Sequence, residues 1–275
     1  MTVELFTERV EGERGERDAL FLHGILGSGQ NLRSLARRFV MACPEWNAVL
    51  VDLRGHGRSP KGTPGGTLAE VAADVLALET RLPVGAVVGH SFGGKTALEV
   101  ARRAPASLSR VVVIDSTPGA RPGGRGSETA TSVIERLTHL ASRTFPSKKA
   151  FVEAVIAGGE SKPIAEWLAM STERVGTGDE VRFALDLAEI GRFMDSYFTT
   201  DLWPVVEQPP GEARIHFVVG ARSDVFDASD RARADALAAR DHRVTVDVLP
   251  AGHWVHVDDF AGLLRVMVER LGGER

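Results

Sequence analysis

Residues 89–96 read Gly89-His90-Ser91-Phe92-Gly93-Gly94-Lys95-Thr96 and follow directly on the apolar run 84–88. Two chemistries share these eight residues. Gly-x-Ser-x-Gly between a strand and a helix marks a sharp, strained turn that presents its serine, with glycines where side chains two residues away would collide. Such a turn projects Ser91 from the carboxyl edge of a sheet. The free amides of the following helix then favour negative charge beside it. The same residues also satisfy Gly-x-x-x-x-Gly-Lys-Ser/Thr, a loop that cradles nucleotide phosphates. In that reading Val111-Val112-Val113-Ile114-Asp115 is the strand whose aspartate holds Mg²⁺. A third reading is purely structural: small residues permit the turn, and Lys95 lies on the helix surface or in a salt bridge.

The surrounding sequence is periodic. Short apolar runs at 19–22, 48–53, 84–88, 111–114, 215–219 and 244–249 alternate with helix-like stretches at 68–82, 95–103 and 260–271. Nearly continuous apolar runs predict strands buried on both faces, and their alternation with helices predicts an α/β fold with a mostly parallel, twisted sheet. Residues 3–10 suit an antiparallel edge strand. The rhythm breaks between 119 and 208. That stretch shows no strand pattern, only helix-like pieces at 131–143, 148–157, 164–172 and 180–198. Glycine and proline dominate 118–126, as in a flexible lead-in, and Pro209-Pro210 closes the segment. We read 1–118 and 209–275 as the two parts of a core and 119–208 as a helical cap inserted between core strands. Further crossover helices of a larger sheet are the other reading of that segment.

Bulk properties narrow the function. A net charge of −4 carries no basic footprint for nucleic acid. No apolar run reaches the roughly 18 residues of a membrane span. The first residues lack the pattern of a secretory signal. Cys43 is the single cysteine, which excludes an internal disulfide and suits a reducing cytoplasm. Nothing in the sequence calls for a metal or an organic cofactor.

A serine is a weak nucleophile and needs a base. Of the eight histidines, His253 is the strongest candidate, in Pro250-Ala251-Gly252-His253-Trp254-Val255-His256 behind the last predicted strand. His256 reads as a packing or capping residue. Two aspartates qualify as the acid that orients the imidazole. Asp115 ends the strand after the serine turn, and Asp224 lies in Gly220-Ala221-Arg222-Ser223-Asp224 after the strand preceding the histidine loop. The oxyanion hole needs two N–H donors. Phe92 supplies one, and Ile25, or secondarily Leu26, supplies the other from the loop after Phe21-Leu22-His23-Gly24. His23 reads as a loop anchor, and Asp52-Leu53-Arg54-Gly55-His56-Gly57-Arg58-Ser59 as a hydrogen-bonded structural loop.

These motifs, in this order along nearly the whole chain, resemble the α/β-hydrolase superfamily. Within it, Leu22-His23-Gly24-Ile25-Leu26-Gly27-Ser28, residues 89–96 and Gly252-His253-Trp254-Val255-His256 are similar to the YbfF-like esterases and the abhydrolase-domain-containing 11 group. The resemblance implies an α/β-hydrolase fold and a serine hydrolase of carboxylesterase or thioesterase type. It maps the acid onto Asp115 and an auxiliary serine onto Ser223, although Asp224 occupies the commoner acid position. It also assigns Gly94-Lys95-Thr96 to the helix after the serine rather than to a phosphate loop. A serine at this turn argues against dehalogenase or epoxide hydrolase chemistry, for which the fold uses an aspartate. The expected partner is a small-molecule ester or thioester, bound by apolar residues that include Leu26, Trp167, Met194, Tyr197, Phe198 and Trp254. Other readings are C–C bond, lactone or perhydrolase chemistry, a P-loop NTPase, and a non-catalytic binding protein.

Overall fold

The computed structural model describes residues 1–62, 66–78, 80, 83–103, 106–121 and 128–272. Its strands are β1 (Thr7–Val10), β2 (Arg17–Leu22), β3 (Trp46–Val51), β4 (Val84–His90), β5 (Arg110–Ile114), β6 (Thr144–Phe145), β7 (Thr172–Arg174), β8 (Val181–Phe183), β9 (Arg214–Gly220) and β10 (Val244–Leu249). The helices are α1 (Arg33–Ala42), α2 (Leu68–Leu76), α3 (Phe92–Arg102), α4 (Glu128–Ala141), α5 (Lys148–Ala157), α6 (Lys162–Leu168), α7 (Leu187–Thr199), α8 (Trp203–Glu207), α9 (Ala228–Ala238), α10 (Val255–Asp258) and α11 (Phe260–Leu271).

Seven strands form one sheet in the order β1-β3-β2-β4-β5-β9-β10. Only the β1–β3 pairing at its edge is antiparallel. Successive residues of a strand face opposite sides of the sheet. In β2, Leu20 and Leu22 join the core beneath α2 and α3, while Ala19 and Phe21 join the core beneath α1 and α11. Two apolar layers on one strand explain the continuous apolar runs of the sequence. The carboxyl ends of β2, β4, β5 and β9 therefore open onto one edge, where the loops described below converge.

Between β5 and β9 the structure departs from the sequence reading. A second sheet, β6-β8-β7, stands where no strand was predicted. Its strands have two or three residues, too few for a period to show. What makes them is pairing: Val181 and Phe183 turn inward while Arg182 stays exposed and meets Glu173 across the strands. The predicted helix 180–198 accordingly begins only at Leu187, where the Asp186 carboxylate accepts from the amides of Ala188 and Glu189. Phe145, Phe151 and Phe183 pack ring against ring inside this segment. Most of the glycine-rich lead-in, residues 122–126, and the predicted helical end at Leu82 lie outside the described residues. Among the described residues no helix is long and apolar enough to cross a membrane.

Candidate active site

The turn after β4 is as tight as its glycines suggest. A Cβ on Gly89 would lie 2.0 Å from the Gly93 carbonyl oxygen, and one on Gly93 would lie 2.3 Å from that of Leu22. Both obstacles are backbone, so neither can give way. Ser91 caps α3 with φ 53°. Its N–H donates to the Ile114 carbonyl at 2.9 Å, which ties the turn to β5. Positive φ in residues other than glycine is confined, among the described residues, to Leu26, Ser91 and Asp115. Ser91 and Asp115 directly follow β4 and β5, and Leu26 lies four residues beyond β2; such strain persists only where surrounding structure holds it.

Three candidate side chains meet there. His253 Nε2 stands 3.1 Å from Ser91 Oγ, and His253 Nδ1 stands 2.7 Å from Asp115 Oδ2. A carboxylate only accepts, so Nδ1 carries the proton and the Nε2 lone pair faces the serine hydroxyl. Asp115 is 0% exposed. Its Oδ1 accepts from the Gly220 amide at 2.9 Å, and its Oδ2 also accepts from Ser223 Oγ at 2.5 Å. Asp224 is exposed, and no hydrogen bond or ion pair joins it to His253 among the described residues. The loop that carries it serves Asp115 instead, through the Gly220 amide and the Ser223 hydroxyl.

His90 completes the arrangement and was missed in the sequence, where it is only the variable residue of Gly-x-Ser-x-Gly. It is buried, and its Nε2–H donates to the His253 carbonyl at 2.9 Å, fixing the histidine loop. Burial, followed by the neighbouring His256 and His253, holds its pKa well below 6.5. The neutral ring leaves His90 a loop clamp.

The loop after β2 is pinned by two further neutral histidines. His23 Nε2 accepts from the Leu53 amide at 3.0 Å, and its Nδ1–H donates to the Gly24 carbonyl at 2.7 Å. His56 Nε2 accepts from the Leu26 amide at 3.3 Å, and its Nδ1–H donates to the Arg54 carbonyl at 2.9 Å. Burial lowers the two pKa values to about 4 and about 3. Leu26 therefore has its N–H engaged, whereas those of Ile25 and Phe92 meet no partner among the described residues. Asp52 braces the same region by accepting from the Gly29 and Arg58 amides at 2.7 and 2.9 Å. The 52–59 loop is thus structural, as its composition suggested.

Lys95 is neither a surface residue nor a phosphate ligand. It is 0% exposed, and its ammonium donates to the carbonyls of Gly119 at 2.7 Å and Tyr197 at 2.6 Å. Burial lowers its pKa to about 7. Asp115, the other residue the nucleotide reading needs, is turned to His253.

Ser91 opens into a cleft lined mainly by apolar residues. One wall comes from the loop after β2 (Ile25, Leu26, Asn31, Leu32), another from Val133, Ile164 and Trp167 of the segment between β5 and β9. The histidine loop adds Trp254 and His256, with the Trp254 ring 4.7 Å from that of Trp167. Of the predicted lining, Leu26, Trp167 and Trp254 are present, but Met194, Tyr197 and Phe198 are not. The buried face of α7 packs inward instead: Phe193 and Tyr197 lie against Phe92 of α3, Tyr197 also against Phe198, and its hydroxyl pairs with Ser116 Oγ beyond β5 at 3.2 Å. His256 lines the cleft in addition to packing on His90, and its Nδ1 meets no hydrogen-bond partner among the described residues.

Comparison with known proteins follows the same lines. Residues 19–266 match the alpha/beta hydrolase family. The chain is 30% identical to the mouse (Mus musculus) sn-1-specific diacylglycerol lipase ABHD11 over 247 residues, covering 87% of this chain and 76% of that one. It is 23% identical to the Escherichia coli esterase YbfF over 97% of this chain and 98% of that one. The solved structure of a marine microorganism esterase superposes with a TM-score of 0.81 at 23% identity, over 98% of this chain and all of the other, a likeness of fold. With a family match across nearly its whole length, the chain belongs to the alpha/beta hydrolase family.

Proposed function

We propose that this protein is a serine hydrolase of carboxylesterase or thioesterase type, cleaving esters of small to medium acyl groups. The observation that carries the reading is the continuous line from Ser91 Oγ through His253 to the buried Asp115, with Nε2 and Nδ1 at 3.1 and 2.7 Å. Ser91 Oγ attacks the acyl carbon as His253 Nε2 takes its proton. The free amides of Ile25 and Phe92 hold the carbonyl oxygen as it becomes negative. The tetrahedral species collapses, the alcohol or thiol leaves with the proton from His253, and an acyl group remains on Ser91. Water, deprotonated by the same imidazole, then releases the acid and restores the serine.

We assign residues 119–208 as a cap over a core made by 1–118 and 209–275. Support comes from the cleft, one wall of which is contributed by Val133, Ile164 and Trp167. The apolar lining suits an acyl chain better than a peptide, and relatives named as an esterase and a diacylglycerol lipase favour a carboxylic ester. The lone buried Cys43 accords with a reducing, cytoplasmic setting. The test is a p-nitrophenyl ester series from acetate to decanoate, with fluorophosphonate labelling. We expect turnover of the shorter esters and labelling, both abolished in Ser91→Ala. A folded wild-type protein that hydrolyses none of them and resists the label would overturn the reading.

A further inference from the structure

The proposed mechanism leaves unused a fully buried lysine one helical turn beyond Ser91. Lys95 sits in α3, and its side chain reaches both the start of the inserted segment and a point near its end. Its ammonium donates to Gly119 at the start of that segment, at 2.7 Å, and to Tyr197 near its end, at 2.6 Å. It also lies 4.6 Å from the centre of the Tyr197 ring. The two ends are zipped together at the same place. The Leu202 amide donates to the Pro118 carbonyl at 2.8 Å, and the Arg121 amide donates to that of Phe198 at 2.6 Å. Directly above, Phe193 and Tyr197 of α7 rest on Phe92, with ring centres 5.8 and 6.3 Å apart.

We infer that Lys95 is a positioning residue that anchors both ends of the inserted segment to the helix bearing Ser91 and Phe92. The anchor sets where the segment's cleft wall stands. A buried lysine is costly, because its charge leaves water and its long stem is frozen. A leucine or methionine would fill the same space at less cost, but would leave two buried carbonyls unpaired where the chain enters and leaves the segment. The core holds Ser91 independently through the Ile114 carbonyl and the glycine contacts. Loosening the anchor should therefore move Val133, Ile164 and Trp167, which line the cleft, and leave the serine in place. This inference rests on the proposed ester hydrolysis for its kinetic arm only.

The test compares wild type with Lys95→Met by hydrogen–deuterium exchange and ester kinetics. Amides of 187–202 should exchange about tenfold faster, with β4 and β5 unchanged. The KM for the longest ester accepted should rise about fivefold or more, while kcat on the acetate ester and fluorophosphonate labelling of Ser91 stay within about twofold. Lys95→Gln, which keeps a donor, should fall between the two. Unchanged exchange overturns the inference, whether or not any ester is hydrolysed. So does a drop in kcat and labelling with KM constant, since it would place the effect at the serine. If Lys95→Met does not fold, Lys95→Gln takes its place, and unfolding of both assigns the residue to the core and overturns the inference. Absence of esterase activity in the wild type, with faster exchange in the variant, removes the proposed function and keeps the anchor.

Discussion

Three hydrogen bonds converge on the Asp115 carboxylate, from Gly220, Ser223 and His253, on a backbone held at φ 46°. An acid so placed fixes the imidazole tautomer and stabilises the imidazolium that forms in the proposed reaction. Asp115→Asn should lower kcat/KM on a p-nitrophenyl ester by about 10³-fold to 10⁴-fold. Asp224→Asn, altering an exposed side chain, should change it by less than about twofold. Equal losses in the two variants would count against the proposed acid. In the sequence Asp115 ended one predicted strand and Asp224 followed another, and both qualified as the acid. The choice between them depends on the rotation of each side chain about a strand end, which no pattern of residues reports.

At the scale of elements, the serine turn and the loop after β3 are built by contacts that admit little change. Gly93→Ala sets a methyl against the Leu22 carbonyl at 2.3 Å. It should cost about 4 kcal/mol or more, and the melting temperature should fall by about 10 °C if the protein is recovered at all. The 52–59 loop is joined to α2 by a buried, two-pronged pair: Arg54 Nε donates to Asp74 Oδ2 and Arg54 Nη2 to Asp74 Oδ1. Asp74→Ala strands the guanidinium in the core and should cost about 3–5 kcal/mol in urea unfolding. A loss under about 1 kcal/mol would show that water reaches Arg54. The long elements were readable because burial on one or both faces imposes a period over many residues. The small sheet was not, since β6, β7 and β8 are each shorter than two full alternations and exist through cross-strand pairing, β7 with the nearby β8 and β8 with the distant β6.

Across the whole molecule, burial holds His23, His56, His216 and His256 at pKa values of about 4, 3, 3 and 4. An unfolded histidine titrates near 6.5, so between pH 6.5 and 4 the unfolded chain binds more protons than the folded one. Stability from these groups is complete above pH 6.5 and is lost as the pH falls through that window. For His23 alone the loss amounts to roughly 3 kcal/mol by pH 4. Melts followed by circular dichroism should show a plateau above pH 7 and a steep fall, of more than about 20 °C by pH 4.5 with all four groups contributing. A melting temperature constant from pH 7 to 4.5 would mean that these rings are protonated or solvated in the folded state.

The sequence by itself determined the α/β architecture, the glycine-flanked serine turn and the place of His253 behind the last core strand. These follow from local physics: strand burial writes a period, a tight turn demands glycine, and chain order limits which loops share a sheet edge. Only the tertiary structure decided that Asp115 faces His253, that Leu26 spends its amide on His56, and that Lys95 lies buried between two carbonyls instead of facing a phosphate. Residues 89–96 are where the two meet. Their letters permitted two folds of the same turn, and the difference lay in where the Lys95 stem points, which is set by a segment that begins more than twenty residues later.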